Sequence, residues 1–298
     1  MPKEFEPSIS EREFVQAALL EGKRVDGRTP YDVRAIEIHL GPEYGAAEVT
    51  LGKTRVAARA SATVVRPFPD RPNEGQFMLN LELSPMASAT FETGRASEEE
   101  VLVTRVLEKA IRQSRAVDTE SLCILAGEKV WSVRVDVHVL DHHGNLIDCA
   151  TMAVVAALLH FRRPDVTVIG EDVTIHTLEE RNPVPLALHH IPICISFAFF
   201  EDGQPANHSC PCDRLVMDPS RLEERLQDGD MTVTVNTHRE LCALSKAGGS
   251  PLPPDQVMRC VQLAATKGAE ITNLIRKAVQ DTTSRTRPGG GGGIGLDR

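Results

Sequence analysis

One segment in the middle of the chain limits the possible folds more than any other. Between residues 131 and 139, tryptophan and valine alternate with polar side chains, so a strand there has one fully apolar face. Residues 148–160, DCATMAVVAALLH, follow after a short turn and are apolar on nearly all sides. A helix of that composition is stable only when it is buried. The two segments together predict a sheet packed against a buried helix.

The order of the other predicted elements places the chain in the α+β class. A short N-terminal helix, which Ser10 can cap, has an apolar stripe that includes Phe14. A later helix begins at Ser97, which can form a capping box with Glu100. Further strands are predicted at residues 193–200, 214–217, 231–236 and 240–245, and a long final helix at 255–280. This order predicts two mixed β-sheets, each packed with helices.

A loop-rich stretch at residues 162–192, which contains four prolines, is the best candidate for a domain boundary. The five successive glycines near the end predict a disordered tail, because ordering them carries a large entropic cost. The predicted division is an N-terminal helix and arm (1–29), a first domain (30–185), a second domain (186–282) and a disordered tail (283–298).

Composition narrows the range of functions. With 298 residues and a net charge of −9, the chain is long enough for a large core and is not coated with positive charge. A local basic stripe can still bind phosphates, since charges are screened beyond about 8 Å at physiological salt. No run approaches the roughly 18 apolar residues of a membrane span, so no membrane partner is expected. The N-terminus lacks the apolar segment of a secretory signal, and the seven cysteines are therefore expected to be reduced.

A basic stripe on the helix after Ser97 is one candidate functional feature. Arg105, Lys109 and Arg112 are spaced at i, i+4 and i+7, so they share one helical face. Such a face can follow the phosphates of a nucleic acid. It can equally be a solvated surface on which Glu108 pairs with its neighbours. The residues alone leave both interpretations open.

An acidic cluster near residue 230 is the second candidate. It comprises Glu223, Glu224, Asp228 and Asp230. Asp230 opens a predicted strand, and Glu224 lies six residues earlier in a predicted loop. Paired carboxylates at a strand edge can bind Mg²⁺ or act as a general acid, although a solvated acidic loop has the same pattern.

The segment His208, Cys210 and Cys212 has spacing that zinc could use, but no second cluster accompanies it. The sequence therefore predicts no metal and no cofactor.

Several long blocks occur in an order that resembles a known family. They are GKRVDGR, YDVR, LGKTRV, NLELSP, FETGR, GEKVWSVRVDVHVLDHHGNLIDCATMA, HFRRPD and DGDMTVTVN. Across residues 10–280 the chain resembles the RNase PH family, and within it the noncatalytic RNase PH-like ring subunits of the RNA exosome. The resemblance implies a hexameric ring with other RNase PH-like exosome subunits and single-stranded RNA in its channel. It also implies RNA-binding cap subunits and associated hydrolytic nucleases as partners, in the nucleus, the nucleolus and the cytoplasm.

The resemblance also implies that this chain is not an enzyme. Active members attack RNA with inorganic phosphate, which they hold with an arginine in a Gly-Thr-Arg turn. The corresponding turn here reads Gly144-Asn145-Leu146, and an aliphatic side chain cannot bind phosphate. Asp230 matches one catalytic acid of active members and Glu224 matches the other by spacing, so both are expected to be vestigial. The alternative is a phosphate-dependent 3′–5′ exoribonuclease that uses Asp230 and other arginines such as Arg95.

The basic stripe gains support from the same resemblance. Arg105 and Lys109 match positions from which an inactive archaeal subunit contacts RNA. Arg95 and Arg112 flank them and are further candidates for RNA binding. A third hypothesis remains, in which the chain is an assembly module that touches no RNA and its stripe contacts acidic surfaces of partners.

Overall fold

The structure, a computed structural model, describes residues 7–92, 94, 96–170, 172–177, 180–200 and 214–286. Within these residues the helices are α1 (Ile9–Leu20), α2 (Glu98–Glu108), α3 (Leu146–His160), α4 (Arg221–Leu226) and α5 (Pro254–Thr286). The strands of the first half are β1 (Ile36–Leu40), β2 (Ala46–Leu51), β3 (Thr54–Val65), β4 (Gln76–Leu83), β5 (Cys123–Leu125) and β6 (Lys129–Asp141). Those that follow are β7 (Arg162–Arg163), β8 (Val166–Ile169), β9 (Asp172–Ile175), β10 (Val184–Pro185), β11 (Ile193–Phe200), β12 (Arg214–Met217), β13 (Gly229–Val235) and β14 (Leu241–Ser245).

The first sheet has the strand order β1-β2-β3-β6-β4, with β5 beside the start of β6. Its pairs are antiparallel except that β4 runs parallel to β6. The alternation predicted for residues 131–139 is confirmed in β6, because the five apolar residues of that pattern are at most 4% exposed. They are Trp131, Val133, Val135, Val137 and Val139.

Helix α3 lies between the two sheets, which explains why it is apolar on nearly all sides. It packs on β2 and β3 of the first sheet and on β11 of the second. The strand beneath it carries the small residues Ala58 and Ala60, which allow a close approach of helix to sheet. Residues of both sheets therefore belong to one continuous apolar core.

The second sheet has the order β12-β11-β13-β14 and is antiparallel throughout, so mixed pairing is confined to the first sheet. All eight residues of β11 are buried. Ile193, Ile195 and Phe197 face the common core, whereas Ala198 and Phe200 pack against α1. The N-terminal helix thus covers the second sheet, and the predicted α+β fold with two helix-packed sheets is confirmed.

The predicted start of α1 needs correction, whereas the predicted start of α2 at Ser97 is confirmed. Helix α1 is capped by Ser8 rather than Ser10, because Glu11 accepts the Ser8 N–H at 2.7 Å while the Ser8 hydroxyl accepts the Glu11 N–H. Phe14, predicted to be in the apolar stripe, is 63% exposed. At α2 the Ser97 hydroxyl accepts the Glu100 N–H at 3.1 Å, which is the first half of the predicted box.

Two helix ends also differ from expectation. Helix α2 ends at Glu108 and continues as a π-helical turn, Lys109–Gln113. Helix α5 extends to Thr286, four residues into the segment predicted as a disordered tail, and residues 287–298 lie outside the described chain. No helix among the described residues is long and apolar enough to cross a membrane.

Candidate functional site

A tight turn between β6 and α3 forms the centre of the site. Gly144 has φ +91°, and a Cβ there would lie 2.4 Å from the backbone nitrogen of Arg221. Asn145 follows in the left-handed region, with φ 55°, and is the N-cap residue of α3. Glycine is required because the turn directly contacts the loop that precedes α4. The two halves of the molecule therefore meet at the N-terminus of α3.

An open cleft of about 400 Å³ lies at this meeting point and brings the predicted site residues together. Leu146, Glu224 and Asp230 all line it, although they come from three different elements. Leu146 is the first residue of α3, and Asp230 belongs to β13 as predicted. Glu224 lies in the short helix α4 rather than in a loop, because the Ser220 hydroxyl and Glu223 form a capping box that starts a helix there. We call this feature the acidic cleft.

Glu224 occupies the N-terminus of α3 directly. Its Oε1 accepts the Asn145 N–H at 2.6 Å. Burial raises the pKa of Glu224 to about 7, against the lowering effect of the Asn145 N–H and of Arg34. A helix N-terminus attracts anions, and here a side chain of the same chain already takes that position.

Beneath the cleft, the Asn145 side chain joins two buried carboxylates. Its Nδ2 donates to Asp148 at 2.8 Å and to Asp218 at 2.7 Å. Asp148 also accepts hydrogen bonds from the backbone and hydroxyl of Ser196, and burial raises its pKa to about 7. Burial acts to raise the pKa of Asp218 as well, but the hydrogen bonds and charge of Arg34 outweigh it and hold that pKa below its ordinary value.

Three arginines that precede β1 neutralise this buried acid. We call Arg24, Arg28 and Arg34 the arginine cluster. Arg24 and Glu223 form an ion pair in which the two residues are 3% and 1% exposed. Arg24 also donates to three backbone carbonyls, those of residues 32, 217 and 218. Arg28 and Arg34 both bind the Asp218 carboxylate, at 2.9 and 2.7 Å.

Sequence reasoning missed the role of the arginine cluster. The only signal was that all three arginines lie in the quoted blocks GKRVDGR and YDVR. Their partners are about 190 residues away, so spacing along the chain gave no indication of the contacts.

The second candidate surface is the basic face, defined as Arg105, Lys109 and Arg112. All three side chains are exposed. No carboxylate of the described chain, including that of Glu108, lies within ion-pair distance of any of them. Lys109 Nζ donates to the Leu244 carbonyl of β14 at 3.3 Å. Since a π-helical turn holds more residues than an α-helical one, Arg112 is rotated away from the line through Arg105 and Lys109.

Two other predicted features cannot be placed. Arg95 and the segment His208, Cys210 and Cys212 lie outside the described residues. Among the residues that the structure does describe, no group of three or more histidine, cysteine, aspartate or glutamate side chains is arranged to hold a metal ion.

Comparison with known proteins gives consistent results over most of the chain. The 3′ exoribonuclease family (RNase PH) matches with its first domain at residues 32–164 and its second at residues 190–267. The Bos taurus protein named exosome complex component RRP45 is 49% identical over 97% of this chain, which spans only 63% of that relative. The Schizosaccharomyces pombe protein of the same name is 44% identical over 94% of both chains.

A solved structure shares the fold. It is titled archaeoglobus fulgidus exosome with RNA bound to the active site. One of its chains superposes with a TM-score of 0.73 and 29% identity, covering 92% of this chain and 98% of that one.

Proposed function

Because this chain belongs to the 3′ exoribonuclease (RNase PH) family, we propose that it is a noncatalytic structural and RNA-channel subunit of an RNA exosome core. In this role it assembles with other RNase PH-like subunits in a hexameric ring, in the nucleus, the nucleolus and the cytoplasm. RNA-binding cap subunits and hydrolytic nucleases join the ring, and the nucleases process RNA from 3′ to 5′. The names of the relatives support the proposed assembly into an exosome ring, and the acidic cleft supports the proposed absence of catalysis.

The observation that carries the proposal is the contact between Glu224 and the N-terminus of α3. Phosphorolysis requires an inorganic phosphate to bind there beside a cationic side chain. Leu146 supplies no charge and no hydrogen-bond donor. Glu224 places a carboxylate on the Asn145 N–H at 2.6 Å, and Asp230 lines the same cleft. Because Leu146 stands in place of the arginine, a phosphate in this cleft would meet two acidic side chains and no cationic one among the described residues that line it.

The alternative, a phosphate-dependent exoribonuclease, is favoured by one specific observation. Glu224 and Asp230 line a single cleft, as a pair of acids for general acid catalysis would. Those acids alone do not bind phosphate, so the alternative requires an arginine from outside the cleft, such as Arg95.

Phosphate-dependent degradation of RNA by the assembled ring tests the proposal. The ring is incubated with single-stranded RNA, Mg²⁺ and inorganic phosphate, and nucleoside diphosphates are measured by chromatography. We expect rings with the wild-type chain and with Asp230→Asn to release the same amount. Release that disappears with Asp230→Asn, but persists with the matched Asp136→Asn variant on β6, would show that this chain is an enzyme.

A further inference from the structure

The polar lining of the acidic cleft consists of two carboxylates, two amides and the hydroxyls of Ser196 and Thr232, and these hydroxyls already hydrogen bond to each other. The carboxylates belong to Glu224 and Asp230, and the amides belong to Asn145 and Gln227. Asn145 is 2% exposed, and its Oδ1 has no hydrogen-bond partner among the described residues because its Nδ2 is used by the two aspartates. Gln227 Oε1 is likewise buried and has no partner in the described part of the chain. A buried acceptor without a donor costs about 1–3 kcal/mol, so this lining favours a ligand that supplies several donors.

No cation of the described chain neutralises the cleft. Neither Glu224 nor Asp230 has a Lys, Arg or His nitrogen within 4 Å in that part of the chain. Arg34 is near enough to lower the pKa of Glu224, but its guanidinium is directed to Asp218 and to the carbonyls of residues 143 and 144. Glu99, on α2, adds further negative charge near Glu224. The ligand that fits is therefore positively charged.

The remaining wall of the cleft is apolar. Leu146, Ile147, Phe197 and Pro219 form it. A bare metal ion makes no use of such a wall, and no metal-binding group of three side chains occurs in the described chain. A basic side chain has the matching form, because its aliphatic stem packs on apolar surface while its charged head reaches polar groups.

We propose that the acidic cleft receives an arginine side chain from a protein partner. The guanidinium carries five donors and no acceptor, so it can satisfy the carboxylates and the unpartnered amide oxygens together. The stem lies along Leu146 and Ile147. The cleft that resembles a phosphate site is in this view a protein-binding site, a use that goes beyond the role proposed above.

Peptide binding to the full chain tests this proposal without phosphate, RNA or ring partners. The probes are acetyl-Gly-Arg-Gly-amide and the same peptide with citrulline, which keeps the shape but removes the charge. The methyl groups of Leu146 and Ile147, labelled for NMR, report directly from the cleft. We expect the arginine peptide to shift these resonances and the citrulline peptide to leave them unchanged.

Variants of the two acids make the test specific. The double variant Glu224→Gln, Asp230→Asn should lower the affinity for the arginine peptide by about tenfold or more, because both charge-assisted contacts are lost. Glu128→Gln, in the exposed turn at the opposite end of β6, is the matched control and should bind as the wild type does. The methyl spectrum and the thermal midpoint verify that each variant is folded.

Three results would overturn the proposal. Equal binding of both peptides would indicate an apolar groove without charge selectivity. Shifts with Mg²⁺ but not with the arginine peptide would indicate a metal site. Shifts with an oligouridine but not with the peptide would assign the cleft to RNA. The ring assay for phosphorolysis is a separate experiment. A negative result for peptide binding would therefore leave the proposed noncatalytic role unaffected.

Discussion

At the N-terminus of α3, the arginine cluster is held by carboxylates and carbonyls of its own chain, and Arg24 is almost completely buried. On α2 and the π-helical turn that follows it, by contrast, Arg105 and Arg112 are exposed and form no ion pair in the described part of the chain. Both regions are rich in arginine, yet only the second leaves its charge available to another molecule. The number of basic residues therefore does not identify a binding surface, whereas the presence or absence of intramolecular partners does.

The largest effect is expected from removing a member of the arginine cluster. Arg24→Ala leaves Glu223 buried and without its counter-ion, so the free energy of unfolding should fall by about 3–5 kcal/mol. Arg12→Ala is the control, because Arg12 pairs with Asp228 at the surface and should cost at most about 1 kcal/mol. Urea denaturation measures both values. Equal losses would mean that the cluster does not hold the two halves together.

Glu224 permits a test of the cleft through pH. Burial raises its pKa to about 7 in the folded chain from an ordinary value of 4.5, so between these pH values the folded state binds more protons than the unfolded state. The ionised carboxylate therefore destabilises the fold increasingly as pH rises through this window. Glu224→Gln removes that cost and still accepts the Asn145 N–H.

The free energy of unfolding of Glu224→Gln should exceed that of the wild type by about 1–2 kcal/mol above pH 7 and equal it near pH 4.5. Thermal or urea unfolding at several pH values measures the difference. Glu128→Gln, at an exposed turn, should show no such dependence. A constant difference at all pH values would contradict the raised pKa.

Some parts of this molecule could be predicted from local sequence, and others could not. The alternation of β6 and the apolar surface of α3 report burial residue by residue, so their positions were confirmed. The arginine cluster depends on contacts between residues about 190 positions apart, and no local pattern reveals them. The cap of α1 was predicted at Ser10, and the structure places it at Ser8, where Glu11 completes a capping box. The vestigial role of Asp230 and Glu224 and the RNA contacts of the basic face stay predictions.

Charge reversal on the basic face tests whether its exposed charges, unlike those of the arginine cluster, bind another molecule. In the assembled ring, the double variant Arg105→Glu, Lys109→Glu should weaken single-stranded RNA binding by about tenfold. The slope of the logarithm of the binding constant against the logarithm of the salt concentration should fall by an amount that corresponds to roughly one to two lost phosphate contacts. Folding stability should change by no more than about 0.5 kcal/mol, because these side chains are exposed. Arg276→Glu with Lys277→Glu, on the exposed side of α5, makes the same charge change and is the control. Equal RNA loss in both would indicate a general charge effect.

The smallest effect should separate residues within the basic face. The π-helical turn rotates Arg112 away from the line of Arg105 and Lys109, so an RNA strand that follows this line meets Arg112 last. Arg112→Glu alone should therefore change RNA affinity by less than about twofold, whereas Arg105→Glu alone should weaken it by about threefold to fivefold. Fluorescence anisotropy of labelled RNA on assembled rings resolves this difference. A larger loss of RNA affinity for Arg112→Glu would mean that the RNA crosses at the π-helical turn instead of running along α2. It would also mean that the hydrogen bond from Lys109 to the Leu244 carbonyl keeps that lysine away from the RNA.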